Sequence, residues 1–255
     1  AKLQCYVPLN GDTVRRSDNH LDSAAAALAF IDSGTNEGAT RPFVMAIFAD
    51  SGGGKTTFLK YLWRLLVERY HSESTCINGD VPSQQLVVPI FLTLPHIATD
   101  RLKSVLADEL GHRGLTDTDI NEMATKGKQI VFLLDGYDEL NISGGGVNII
   151  DSSGVGVRWS NVKVIISCRE DVLKEDPKYF FAPLDDRQPQ AAALLEWHLH
   201  GFGSEQLDLY LQQYVAHMDS RSVCGDGAVA DRAKKWGSWT DYRDTINQLY
   251  QLAHL

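Results

Sequence analysis

The stretch that decides the fold is FVMAIFADSGGGKTTFLKYLWRLL, residues 43–66. It begins with an apolar run, passes through three consecutive glycines and continues with apolar residues at helical spacing. This order predicts a buried strand, a tight loop and a helix. The letters from Ala49 to Thr56 match the phosphate-binding loop pattern G-x-x-x-x-G-K-[ST], except that Ala49 replaces the first glycine.

The predicted loop has the composition needed to hold a chain of phosphates. We expect the amide N–H groups of residues 52–56 to point into a concavity at the helix N-terminus, where unsatisfied donors and the helix dipole favour an anion. Lys55 adds a charge within reach of the β- and γ-phosphates, and the Thr56 hydroxyl is a candidate Mg²⁺ ligand. The Ala49 methyl group lies at the strand exit and need not crowd the phosphates. The candidate nucleotide-binding residues are Ala49, Asp50, Ser51, Gly52, Gly53, Gly54, Lys55, Thr56 and Thr57.

Five apolar runs bounded by turn residues are strand candidates. They are Phe43–Phe48, Leu86–Leu94, Ile130–Leu134, Val162–Ser167 and Leu194–His200. Segments with apolar residues at i, i+3, i+4 and i+7 lie between them, as in residues 58–66 and 102–110. This alternation of strands and helices predicts a parallel sheet covered by helices on both faces.

The sequence pattern divides the chain into three parts. Residues 1–40 hold one weak helix signal, DSAAAALAFID, and form an N-terminal linker or helical segment. Residues 41–203 form the predicted nucleotide-binding domain, and residues 204–255 carry only helical patterns. Clusters of Gly, Ser and Asp predict two loops, residues 141–161 and 220–228.

The stretch IVFLLDGYDEL, residues 130–140, supplies carboxylates for the second half of a site. A buried strand ending at Asp135 brings that carboxylate to the carboxyl edge of the sheet, beside the phosphate loop if the two strands are neighbours. Asp135 is therefore, with Thr56, the candidate metal ligand. Asp138 and Glu139 lie within reach of an attacking water, and one of them, with Glu139 preferred, would orient or deprotonate it.

A further strand candidate ends in a cation. In VKVIISCRE, residues 162–170, Arg169 follows an apolar run and would emerge at the same edge of the sheet. A guanidinium at that place can sense the γ-phosphate of a bound nucleotide. A structural ion pair with Glu170 or Asp171 is the alternative role for Arg169.

Composition bounds the class of the protein. The 255 residues are 44% hydrophobic and 22% charged, near the averages for globular domains. The net charge of -9 argues against nucleic acid as a partner, because affinity for phosphate backbones needs clustered Lys and Arg. No apolar run is long enough to span a membrane. The chain begins without Met, which suggests a fragment or a trimmed product.

Cysteine and histidine spacing does not indicate a metal site. The four cysteines lie far apart with no CxxC, which favours reduced thiols in an intracellular, cytoplasmic protein. They are Cys5, Cys76, Cys168 and Cys224. His198 and His200 share a side of the last predicted strand, but without a third ligand nearby we expect packing or surface roles for them.

Together these elements resemble the NACHT family, a branch of the STAND class of P-loop NTPases that includes the NOD-like receptors. The likeness runs over residues 43–215 and rests on ADSGGGKTTF, FLLDGYDEL, KVIISCRE and LEWHLHGFGSEQLDLYLQQYV. It implies a three-layer α/β sandwich with a parallel sheet of order 5-1-4-3-2 and the start of a helical lid. It also implies a Mg²⁺-dependent ATP/ADP switch with slow hydrolysis and ATP-driven homo-oligomerisation, as in innate-immune or cell-death signalling. We expect the full-length chain to carry the family's further domains.

Three other functions fit parts of the same sequence. VNIIDSSG, residues 147–154, can form a strand with a D-x-x-G switch, which would make Asp151 the switch acid of a GTPase, although the guanine-reading NKxD spelling is absent. A P-loop kinase of a small molecule needs lid arginines, for which the candidates are Arg158, Arg169 and Arg187. A non-hydrolysing nucleotide-binding scaffold also fits, because possession of an acid does not establish that it is aligned.

Overall fold

The computed structural model describes residues 6–13, 21–33, 42–75, 86–94, 105–112, 114–126, 128–140, 148–155, 161–173 and 175–222. Its strands are β1 (Asn10–Asp12), β2 (Leu21–Asp22), β3 (Val44–Ala49), β4 (Val87–Thr93), β5 (Gln129–Asp135), β6 (Val162–Arg169), β7 (Leu184–Asp185), β8 (Gln188–Pro189) and β9 (Leu194–Leu199). Its helices are α1 (Ser23–Asp32), α2 (Lys55–Thr75), α3 (Val105–His112), α4 (Asp117–Thr125), α5 (Ile149–Ser153), α6 (Lys178–Phe181) and α7 (Ser204–Ser222). All five predicted strands are present, with their ends shifted by no more than two residues.

Seven of the strands form one mostly parallel sheet, ordered β2-β1-β9-β3-β6-β5-β4. The five strands from β9 to β4 run parallel, and counted along the chain they read 5-1-4-3-2. β1 and β2 extend the sheet by antiparallel pairing beside β9. The sequence does not predict these two strands, because NGD and LD are too short and polar to show a strand period.

Helices cover both faces of the sheet. Met45 and Ile47 of β3 pack in a hydrophobic cluster with α1 and α2, whereas Ala46 and Phe48 pack on the opposite face in a cluster with α3, α4, α5 and α6. β3 and β5 are buried along their whole length, and β6 along all but its last residue. Burial on both faces explains why these strands are continuously apolar in the sequence.

The glycine-rich segment 141–161 contains a short helix where the sequence predicts a loop. α5 begins after Asn148, whose side chain accepts a hydrogen bond from the Asp151 amide at 2.9 Å. It ends at Gly154, which adopts a φ of 69° and caps the helix with its own amide. The GTPase interpretation needs a strand over VNII, and the structure contradicts that strand.

The chain separates into two compact units. One contains residues 9–200, and the other contains residues 1–8 and 201–255. β1 and α1, which the sequence pattern places in the separate segment 1–40, belong to the first unit. The first three residues of the loop predicted at 220–228 belong to α7, which continues to Ser222, and residues 223–228 lie outside the described residues. Among the described residues, no helix combines the length and apolar character that a membrane span requires.

A lysine is fully buried in β6, where the sequence shows an apolar strand. Lys163 Nζ donates hydrogen bonds to Ser33 Oγ at 2.9 Å and to the Pro42 carbonyl at 2.8 Å. It also lies 4.5 Å from the centre of the Phe30 ring. These contacts join the end of α1 and the entry to β3 to the middle of the sheet.

We expect Lys163→Ala to destabilise the protein more than Lys163→Met. The alanine variant leaves a cavity and loses the hydrogen bonds, so the free energy of unfolding should fall by about 4 kcal/mol. The methionine variant keeps most of the volume and loses the hydrogen bonds, for an expected fall of about 2 kcal/mol. Urea unfolding measures both values, with Lys60→Ala on the exposed side of α2 as the neutral control. A methionine variant as stable as the unmodified protein would show that these hydrogen bonds do not stabilise it.

Candidate functional site

The loop between β3 and α2 turns tightly because its glycines adopt conformations that other residues avoid. Gly52 and Gly54 have φ angles of 76° and 84°, in the left-handed region that favours glycine. A Cβ atom on Gly53 would lie 2.8 Å from the Ala49 Cβ. The loop therefore accommodates alanine at its first position because the fifth position has no side chain.

The N-terminus of α2 follows the loop without a break. The helix begins at Lys55 and has no carboxylate in its first turn, so no acidic side chain of the helix competes for its free amides. The expectation for the amides of residues 52–56 needs one correction. Gly53 N donates to the Asp50 carbonyl at 3.0 Å, which uses this amide inside the loop.

The Lys55 ammonium group lies within the curve of the loop. Its Nζ donates to the carbonyl oxygens of Ala49 and Asp50, each at 3.0 Å. Lysine has three N–H donors, so two are used by the loop itself. The same contacts hold a positive charge at the loop that leads into α2, where it adds to the attraction that a helix N-terminus has for an anion.

Thr56 meets Asp135 across the edge of the sheet. The Thr56 hydroxyl donates to Asp135 Oδ1 at 3.2 Å, although the two residues are 79 positions apart in sequence. From the sequence this meeting was expected only for neighbouring strands, but β6 lies between β3 and β5. The first turn of α2 reaches over the end of β6 and brings the loop to the acid.

Ser167 at the end of β6 holds Asp135 in place. Its hydroxyl donates to Asp135 Oδ1 at 2.7 Å and accepts a hydrogen bond from the Gly136 amide at 2.9 Å. Sequence reasoning missed this role of Ser167. The available signal was its position, since a small polar residue ends an apolar strand that lies beside the strand of the acid.

Thr56 and Asp135 have the donor atoms that Mg²⁺ prefers. The carboxylate and the hydroxyl are hard oxygen ligands, and proteins usually bind Mg²⁺ through one or two carboxylates together with substrate phosphates and water. Asp135 is a buried polar residue. Within the described ranges, no group of three or more His, Cys, Asp or Glu side chains makes a complete metal site. The arrangement therefore fits a metal ion that is shared with bound phosphates.

Asp138 contacts Arg169 rather than standing free beside the site. Asp138 Oδ1 accepts a hydrogen bond from the Arg169 amide at 3.0 Å, and Oδ2 lies 3.0 Å from Arg169 Nε in an ion pair. The Asp138 side chain is only 4% exposed. Glu139, in contrast, is exposed at the end of a 3₁₀ turn, Tyr137–Glu139. Of the two candidate bases, Glu139 is the one whose carboxylate is open to water.

Of the two alternative ion pairs predicted for Arg169, the one with Asp171 is present but longer than the one with Asp138, and among the described residues the one with Glu170 is not formed. Asp171 Oδ1 is 3.8 Å from Arg169 Nε, farther than the Asp138 carboxylate. Glu170 instead pairs with His198, whose Nδ1 lies 2.5 Å from Glu170 Oε1. The His198 ring also lies 5.3 Å from the Phe48 ring, which agrees with the packing role expected for this histidine.

The thiol of Cys168 is buried near the end of β6, close to charged side chains of the site. Burial raises the pKa of Cys168 to about 12, with Asp138 adding to the rise and with Lys55 and Arg169 opposing it. The thiol therefore stays protonated at neutral pH, in keeping with the unreactive, reduced cysteine that the spacing predicts. Arg169 pairs with Asp138 and lies opposite Ala49, whose carbonyl accepts a hydrogen bond from Lys55, so these three charges lie around the same part of the sheet edge.

The described geometry is that of a P-loop NTPase-like α/β fold. No family model matches the sequence. No curated protein matches it either. The resemblance to the NACHT family therefore stays a prediction.

Solved structures with a similar fold share little sequence with this chain. Drosophila ORC bound to DNA has 12% identity and a TM-score of 0.49, over 88% of this chain and 55% of that one. The Aeropyrum pernix ORC1 protein in complex with DNA has 19% identity and a TM-score of 0.47, over 76% and 47%. C. elegans PCH-2 has 15% identity and a TM-score of 0.43, over 78% and 46%. The chain thus spans about half the length of each, and likenesses this distant identify neither its family nor its function.

Proposed function

We propose that this chain binds ATP and ADP with Mg²⁺ and hydrolyses ATP slowly. The observation that carries the proposal is the 3.2 Å contact between Thr56 Oγ1 and Asp135 Oδ1. This contact joins the end of a phosphate-type loop to a buried acid at the carboxyl edge of a parallel sheet, which is where such folds bind their ligands. A glycine-rich turn with no ligand would not need an acid held at the helix N-terminus.

In this proposal each residue of the site has a separate role. The loop amides and Lys55 would hold the phosphates, while Thr56 and Asp135 would hold Mg²⁺, which neutralises charge that develops on the phosphates. Glu139 would orient or deprotonate the attacking water. Arg169 would contact the γ-phosphate and so distinguish ATP from ADP.

We also propose that the nucleotide acts as a switch of the NACHT type. The motifs ADSGGGKTTF, FLLDGYDEL and KVIISCRE support this reading by their order and spelling. ADP would then hold an inactive form and ATP would drive homo-oligomerisation in signal transduction of the innate-immune or cell-death type. Such a switch requires that the two nucleotides bind the two forms with different affinities. The net charge of -9 continues to disfavour nucleic acid as a partner.

Identification of the nucleotide that co-purifies with the protein tests the proposed function. We expect protein that is purified and then denatured to release ADP or ATP, because ligands held by a loop of this kind survive purification when they bind tightly. Chromatography of the released material identifies the base and counts the phosphates. In competition with a fluorescent ADP analogue, ATP should displace the probe at least about tenfold better than GTP, a difference of about 1.4 kcal/mol. Equal or better displacement by GTP would favour the GTP-binding alternative, and no displacement by either would contradict the nucleotide site.

A further inference from the structure

The C-terminal end of β6 carries Arg169, the arginine of the proposed site. Asp138 contacts Arg169, and His198 contacts Glu170, the residue that follows it. Arg169 is the last residue of the strand and lies opposite Ala49 in the parallel ladder with β3, directly beside the start of the phosphate loop. Adjacent strands lie about 4.8 Å apart, so the backbone of Arg169 is a fixed neighbour of the loop. Its side chain is 38% exposed, which leaves part of the guanidinium accessible.

Asp138 holds this arginine at its inner end. The carboxylate binds the Arg169 amide through Oδ1 and faces Nε through Oδ2, so both oxygens are directed at one residue. Within the described residues, the ion-pair contacts of Arg169 are made through Nε, and no contact involves its two terminal nitrogens. The planar guanidinium is therefore held at one corner while its outer donors remain available to an anion.

His198 holds the next residue along the chain. Glu170 follows Arg169 directly, and its carboxylate is 2.5 Å from His198 Nδ1 on β9. Both side chains are largely buried, at 12% exposure for Glu170 and 14% for His198. The His198 ring packs near the Phe48 ring at the end of β3, one residue before the phosphate loop. The segment that carries Arg169 is thus joined to β9 and, through the His198 ring, to the end of β3.

We propose that Asp138 and His198 are positioning residues for Arg169, and that Asp138 is not the base that activates water. This inference rests on the proposed nucleotide site. Asp138 would fix the direction of the guanidinium, and His198, through Glu170, would fix the backbone from which it extends. An arginine that is already held in position loses little conformational freedom when it binds phosphate. Arg169 should therefore contribute more to the binding free energy of the γ-phosphate of ATP than an unrestrained arginine would.

A double-mutant cycle tests the role of Asp138. The variants are Asp138→Asn, Arg169→Gln and the two together, and the readout is the preference for a β,γ-imido analogue of ATP over ADP. We expect each single change to reduce this preference about tenfold, since Arg169→Gln removes the charge that would face the third phosphate and Asp138→Asn removes the carboxylate that directs this charge. If Asp138 acts through Arg169, the double variant should again lose about tenfold. A product of the two losses, about a hundredfold, would overturn the inference.

Two controls separate this inference from the function on which it rests. Asp171→Asn removes an exposed carboxylate that is also near Arg169, and we expect it to leave the preference unchanged. ADP affinity should be the same in all variants, because ADP has no γ-phosphate. If the unmodified protein binds neither nucleotide, the proposed function fails. If it binds both nucleotides and the losses multiply, only the positioning role fails.

A matched pair of variants tests the role of His198, and it also decides the inference if Asp138→Asn does not fold. His198→Asn retains an N–H donor near the place of Nδ1, whereas His198→Phe retains an aromatic ring next to Phe48 without a donor. We expect His198→Asn to keep most of the preference for the ATP analogue and His198→Phe to lose it, with ADP affinity unchanged in both. Equal preference in the two variants would overturn the positioning role of His198.

Discussion

Lys55→Ala should remove measurable nucleotide binding while leaving the fold in place. In the folded protein Lys55 Nζ donates hydrogen bonds to the carbonyls of Ala49 and Asp50, in the loop that leads into α2. Replacing it removes the positive charge that would face the β- and γ-phosphates, and a hydrogen bond to a charged group is worth about 1.5 to 3 kcal/mol. Because the substitution removes the interaction with both phosphates, affinity should fall by more than about a hundredfold.

Thermal unfolding with and without nucleotide measures this fall in affinity. A ligand present at about 100 times its Kd adds about 2.7 kcal/mol to the free energy of unfolding. For a unit of this size, that is a rise in Tm of roughly 5 to 11 °C. We expect this rise in the unmodified protein and in the control Lys60→Ala, in which an exposed lysine of the same helix is removed. We expect no rise in Lys55→Ala.

Two outcomes of the Lys55→Ala experiment would lead to different conclusions about the role of this lysine. A Lys55→Ala protein that unfolds normally without nucleotide but shows the full rise in Tm would contradict the role of the loop. A variant that is itself unfolded would instead show that the hydrogen bonds to Ala49 and Asp50 are needed for stability. These two hydrogen bonds are partly or fully exposed to solvent, so the stability that each contributes is small, about 1 kcal/mol, and the first comparison should be possible.

The strands and the loop are well predicted from the sequence because both are specified by local patterns. The apolar runs of β3, β5 and β6 are buried on both faces, and such strands need no partner information to be recognised. The ends of these strands bring Asp135 and Arg169 to one edge, since carboxyl ends of parallel strands meet there. These features follow from the period and the order of residues along the chain.

Pairing between distant side chains could not be predicted in the same way. Glu170 and Asp171 are the partners that the sequence suggests for Arg169 because they are its neighbours along the chain, yet Asp138 is the closest carboxylate in the fold. Which carboxylate pairs with Arg169 depends on the register of β5 against β6 and on the 3₁₀ turn after β5. The local spacing of residues predicts neither of these features. The short strand β1 and the burial of Lys163 cannot be predicted from local sequence either, because their environments are built from parts of the chain far apart in sequence.

Glu139→Gln should separate binding from hydrolysis. Glutamine has nearly the same shape as glutamate but cannot accept a proton at neutral pH, and loss of a positioned general base typically lowers turnover by about 10²- to 10⁴-fold. Glu139 is exposed at the end of the turn that follows Asp135, so the substitution disturbs no buried contact. We therefore expect unchanged affinity for ADP and ATP together with loss of phosphate release.

Single-turnover measurement gives the sharpest form of this test. Protein in excess over radiolabelled ATP and Mg²⁺ should convert ATP to ADP in the unmodified chain and in the control Glu175→Gln, which changes another exposed glutamate. The Glu139→Gln variant should retain ATP, recovered intact when the protein is denatured. Turnover equal to that of the control would assign the base elsewhere. Because both Asp138 oxygens are already directed at Arg169, such a result would favour a base outside DGYDE. No turnover in the unmodified chain would instead favour the non-hydrolysing nucleotide-binding scaffold.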